Sequence, residues 1–128
     1  MNHAETTPSA VDRRLRGRTY AIPFDRVWTT ARAQIQDAGR WQLIEADDLE
    51  GVIQATATTL ICRFVDDVSI RIKLDDNAQT RVDLTSRSRK GKGDLGANAR
   101  RIGRFMRRLD RSLDARPEHI LDAMACGP

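Results

Sequence analysis

Guanidinium, carboxylate and amide groups crowd into one run of the chain, SRSRKGKGDLGANARR, spanning positions 86–101. Arg87 and Arg89 leave a strand, Asp94 stands where a helix should begin, Asn98 falls in that helix's first turn, and Arg101 lies one turn on. Chain continuity brings these five near one end of a sheet, and they form the candidate ligand-binding set. Donors left facing a cavity by Asn98, Arg101 and the strand arginines would be completed by a small anionic or lipid-like ligand. The competing account is structural: Asp94 caps the helix by accepting its free amide protons, while Asn98 ties the glycine loop to the sheet, because buried polar groups find internal partners. The loop Lys90 to Gly96 is glycine-rich, basic and precedes a helix, yet it matches neither the P-loop nor the dinucleotide fingerprint. A carboxylate at the cap also repels phosphate.

Other residue types offer less. His3 and His119 have no Asp, Glu or Cys at ligand spacing, so no metal site and no histidine-based catalytic residue is expected. The pairs Asp47/Asp48, Asp66/Asp67 and Asp75/Asp76 resemble acid and base candidates only by being paired, and each sits where a turn is expected. Cys62 and Cys126 have no metal-ligand spacing and read as free thiols, the first in a strand and the second in a tail. Arg100, Arg104, Arg107, Arg108 and Arg111 could meet nucleic-acid phosphates or anionic lipid. With Asp110 and Asp114 nearby and few aromatic residues for base stacking, a solvated helix face is the favoured reading and nucleic acid an unfavoured partner.

The elements that must position these residues follow from periodicity. Val82, Leu84, Ser86 and Ser88 alternate with Arg81, Asp83, Thr85, Arg87 and Arg89, which predicts a half-buried strand whose inner face turns polar at its end. Leu95, Ala99, Ile102, Phe105, Met106, Leu109 and Leu113 recur at spacings of three and four and predict a long helix beginning near Leu95. Asn98 interrupts that stripe and Arg101 borders it. Upstream, Arg18 to Ile22 predicts a short edge strand. Pro23 suits the first turn of a helix striped by Val27, Ala31, Ile35 and Ala38, which Gly39 should end in a left-handed conformation. A period of two then marks a hairpin from Trp41 through the turn at Asp47, Asp48 and Gly51 to Ile53, Ala55 and Ala57. Leu60 to Val65 is a third apolar segment, Asp66 and Asp67 mark a turn, and Val68 to Leu74 alternates cleanly before the turn at Asp75 to Asn77. Ile120, Leu121 and Met124 give a weak helical stripe beyond Pro117.

The run SRSRKGKGDLGANARRI resembles the signature of the bacterial and plastid domain of unknown function 1499 family: an Arg-Ser-Arg, a glycine loop, Asp-Leu-Gly, then Asn and Arg. The likeness extends through PFDRVW, the residues Gly39 and Trp41, and FVDDVSIRI, covering roughly Ile22 to Leu113. It implies no reaction, cofactor or partner. Many such relatives carry membrane spans or export signals.

At 128 residues, with 40% hydrophobic and 31% charged residues, the chain suits one ordinary globular core. Its net charge of +4 is weak evidence for an anionic partner. No apolar run approaches the roughly 18 residues of a transmembrane helix, and residues 1–18 lack the apolar segment of a secretory signal, so a cytoplasmic location is expected, with peripheral membrane contact left open. The expected organisation is a loosely held tail over 1–16, one α+β domain over 17–116, and a C-terminal extension over 117–128. Within the domain, an antiparallel β-meander of four to five strands should carry two helices on one face, a helix-grip-like arrangement. The expected function is a non-enzymatic binding or accessory module without cofactor. The alternatives are an enzyme using Asp and Arg of the cluster, or a weak nucleic-acid binder through the arginine helix face.

Overall fold

The computed structural model describes residues 3–7, 9–59, 63–89, 95–116 and 119–121. Asp94, the glycines and lysines of positions 90–93, the segment 60–62 with Cys62, Pro117, Met124 and Cys126 lie outside the described residues, as does the capping role expected of Asp94. Among the described residues, seven strands and two α-helices make an α+β fold. In chain order they are β1 (His3–Glu5), β2 (Arg18–Tyr20), α1 (Phe24–Asp37), β3 (Trp41–Asp47), β4 (Val52–Thr58), β5 (Val65–Leu74), β6 (Thr80–Ser88), α2 (Leu95–Ser112) and β7 (Ile120–Leu121).

The expected meander is β3-β4-β5-β6, antiparallel throughout. Its turns use the predicted chemistry: Asp47 Oδ1 accepts from the amides of Leu49 and Glu50, and Asp75 Oδ1 from those of Asn77 and Gln79. Such side-chain acceptors stand in for backbone partners in a tight turn. A register shift between Leu43 and Glu45 leaves Ile44 exposed and brings Ala46 inward beside Leu43. The inner face carries Ile53, Ala55, Ala57, Val68, Ile70, Ile72, Val82 and Leu84, all buried, and joins the α1 stripe and the α2 stripe in one core. Arg71, Lys73 and Arg87 occupy the solvent face.

Five local expectations are corrected. Asp66 and Asp67 do not form a turn but open β5, paired with Ser88 and Arg87 of β6; only Asp66 faces inward. The helix α1 ends at Asp37 with Ala38 extended, and Gly39 does not take a left-handed conformation. The Ala38 carbonyl instead accepts from the Trp41 amide, turning the chain straight into β3. β2 is not an edge, because its free side accepts β7, and the helical stripe expected at Ile120 and Leu121 gives way to that strand. Lastly, the tail expected over 1–16 is not loose along its described length: β1 pairs with β6, Ala4 is buried, and Thr6 Oγ1 donates to Asp83 Oδ1 at 2.7 Å. β2 takes only residues 80–82 of β6, so the remaining edge groups of that strand need partners, and residues 3–6 supply them. With Ala4 its single buried apolar residue, that segment is too short to show a period in the sequence.

Candidate functional site

Two arrangements lie side by side along α2. The first is a buried polar cluster that grows from the polar end of β6. Ser86 and Ser88 point inward by the same alternation that buries Val82 and Leu84, and Asp66 sits across from Ser88 on β5. Asn98, from the first turn of α2, descends onto them: Ser86 Oγ donates to Asn98 Oδ1 at 2.7 Å, and Asn98 Nδ2 donates to Ser88 Oγ at 3.2 Å. Arg101, one turn later, reaches the same place. Its Nη1 lies 3.1 Å from Ser86 Oγ, 3.0 Å from Asn98 Oδ1 and 2.6 Å from Asp66 Oδ2. All five side chains are buried. An ionised pair out of water holds better when hydrogen bonds support it, and Ser86 Oγ and Asn98 Oδ1 accept from Arg101 Nη1 here.

Of the five expected site residues, the structure thus brings together Asn98 and Arg101. Arg87 is exposed on the outer face of the sheet. Arg89 lies there too, bound through Nη2 to Asp67 Oδ1 at 2.9 Å, with both side chains about half exposed.

The second arrangement is a groove of about 710 Å³ beside the cluster. One wall is α2, with Arg100, Arg104, Arg107, Arg108 and Arg111; the other is built from the end of α1, the start of β3 and the end of β4, through Gln34, Arg40, Trp41 and Thr58. Arg101 borders both arrangements. At 1.5 Å per residue, Ala97 to Arg111 runs about 21 Å along the helix, with a guanidinium at nearly every turn. Of the acids expected beside this face, Asp110 accepts from Tyr20 and pairs with Arg18 instead. Among the described residues, no carboxylate comes within 4 Å of the guanidinium of Arg40, Arg104, Arg107, Arg108 or Arg111. Arg104 records the crowding. Partial burial first, then the like charges of Arg101, Arg100, Arg107 and Arg40, hold its guanidinium below the ordinary arginine pKa, although the side chain still reaches solvent.

Behind the groove's second wall lies a buried polar atom without a partner. Gln34 is buried, its Nε2 donates to the Phe105 carbonyl at 3.0 Å, and its Oε1 has no hydrogen-bond partner. Flipping the amide would set oxygen against oxygen, so the unpaired acceptor is fixed by that bond. Nearby, Trp41 and Phe105 stack with ring centroids 5.6 Å apart. Sequence reasoning missed Gln34, Arg40 and Trp41 as site residues. A signal existed for the first: at about 100° per residue, Gln34 falls inside the stripe of Val27, Ala31 and Ala38, a polar interruption like that of Asn98.

The family model described as Protein of unknown function (DUF1499) matches residues 2–109. The chain belongs to this family. No curated protein and no solved structure matches it. The DUF1499 match takes in β1, the buried cluster and most of the groove. Among the described residues, no helix is long and apolar enough to cross a membrane, and no three His, Cys, Asp or Glu side chains are grouped to hold a metal ion.

Proposed function

We propose that this chain is a non-enzymatic binding module that holds a small anion in the groove between α2 and the wall of α1, β3 and β4. The observation that carries this reading is the group of arginines without carboxylate partners, gathered from two walls around Arg104. Like charges so placed repel one another, and an anion between them converts that repulsion into charge-assisted hydrogen bonds. The proposal moves the ligand from the strand end at Arg87 and Arg89 to the groove, with Arg101 as the shared residue. It keeps the helix-grip-like picture of a long helix laid across a sheet with a ligand beneath its flank.

The enzyme alternative has little to draw on. Asp66 is tied to Arg101 in the interior, and Asp67 meets Arg89 only on the exposed face.

Thermal unfolding of the full chain with sulfate, phosphate or citrate, against potassium chloride at equal ionic strength, tests the reading. A specific site raises the midpoint in a saturable way, by as much as about 2.7 kcal/mol of stability at 100 times Kd. Arg104→Gln and Arg108→Gln should each abolish most of the rise. No anion exceeding the chloride control would overturn it.

A further inference from the structure

Resting on the anion-binding reading, we infer that the groove's ligand is a phosphorylated small molecule with a flat ring body: a multiply charged phosphoryl group among the arginines and the ring against Trp41. Four observations converge.

Among the described residues, the cations of the groove are all arginine, and no lysine lines it. The guanidinium fork meets two oxygens of a tetrahedral oxyanion at once, whereas an ammonium offers a point charge. Charge number then narrows the choice. Arg40, Arg104, Arg107, Arg108 and Arg111 have no carboxylate within 4 Å among the described residues, so a multiply charged anion offsets more of their repulsion than a monoanion does. A phosphate monoester carries about −1.5 to −2 at pH 7, and a diphosphate carries more.

Size requires a body beyond the phosphoryl group, since a groove of about 710 Å³ falls within the range that encloses a metabolite rather than an inorganic ion. The lining says what that body is. Trp41 is only partly covered and rests on Phe105, which holds the indole as a firm face for a second ring.

Titration calorimetry of the full chain at matched ionic strength, with ADP, inorganic pyrophosphate, adenosine and citrate as probes, tests the inference. ADP should bind about ten-fold more tightly than pyrophosphate and quench tryptophan fluorescence, pyrophosphate should exceed citrate, and adenosine should not bind measurably. Trp41→Leu should erase the preference of ADP over pyrophosphate while pyrophosphate still binds. Should that variant fail to fold, the wild-type ratio of ADP to pyrophosphate decides by itself. Citrate bound as tightly as pyrophosphate would overturn the phosphoryl assignment and leave the anion site standing. Pyrophosphate bound as tightly as ADP would overturn the ring. Vesicles containing phosphatidic acid that retain the protein while ADP does not bind would overturn a soluble ligand in favour of a lipid phosphate. If none of these probes binds, both the inference and the anion-binding reading fall.

Discussion

Arg101 Nη1 and Asp66 Oδ2 stand 2.6 Å apart, joining the second turn of α2 to the first inward position of β5 with both side chains almost wholly out of water. Removing one member strands the other's charge in the interior, so Arg101→Met should cost about 3–5 kcal/mol. Combined with Asp66→Leu, most of that cost should return, because no buried charge remains. Urea unfolding of the two single variants and the double variant completes the cycle. Additive losses would mean that the two groups do not act as a pair.

Asn98→Leu should destabilise by roughly 1–3 kcal/mol, since Ser86, Ser88 and Arg101 each lose a partner in a place where water does not replace it. A loss of anion binding without a loss of stability would place Asn98 at the ligand instead. Chemical unfolding and the phosphate thermal shift, measured on the same sample, separate these outcomes.

Tyr20 is the chain's single tyrosine, fully buried, with its hydroxyl donating to Asp110. Burial first, then the Asp110 charge and that hydrogen bond, push its pKa far above the ordinary phenol value. Unfolded, the phenol ionises near pH 10, while in the fold it keeps its proton. The unfolded state therefore binds fewer protons on the alkaline side, and stability that is complete below about pH 10 falls as the pH climbs past it, by at most about 1.4 kcal/mol per pH unit. Tyr20→Phe should flatten this decline. Urea unfolding at about pH 9 and about pH 11 compares the slopes; equal slopes would mean that the phenol ionises in the folded state too.

Gly51 has φ +73°, and a Cβ there would collide with the Ile72 carbonyl oxygen. Gly51→Ala should therefore cost more than about 1 kcal/mol, as read by the urea midpoint. In α2, Phe105→Ala should cost about 3–5 kcal/mol through loss of the ring that faces Trp41 and the core. Arg107→Ala on the solvent side should stay within about 0.5 kcal/mol. Equal costs would reverse the orientation of the helix.

Patterning revealed the long elements because each has many residues that must choose a side. The alternation of Val82 to Ser88, and the stripe from Ala99 to Leu113, place their side chains as the fold does. Asp66 was misread because local composition cannot distinguish a carboxylate in a turn from one drawn into a strand by an arginine 35 residues later (101 − 66). β1 and β7 were invisible for a related reason: strands of three and two residues owe their existence to the open edges of β6 and β2, not to their own sequence. The groove was half legible. Its arginine wall lies on one helix and was seen, whereas Arg40 and Trp41 come from another part of the chain and meet it only through the packing of α1 against α2.

One edge of β6 is shared between β2, at residues 80–82, and β1, at residues 85–87. During synthesis this reverses the order of making and placing. Ala4 leaves the ribosome 82 residues before its partner Ser86 (86 − 4), and at about 5–20 residues per second that is a wait of roughly 4–16 s. The hairpins from β3 to β6 close over short loops and can assemble as they emerge, far faster than that. β1 is therefore held without its partner until the fourth strand of the meander is complete, and it docks onto a sheet that already exists.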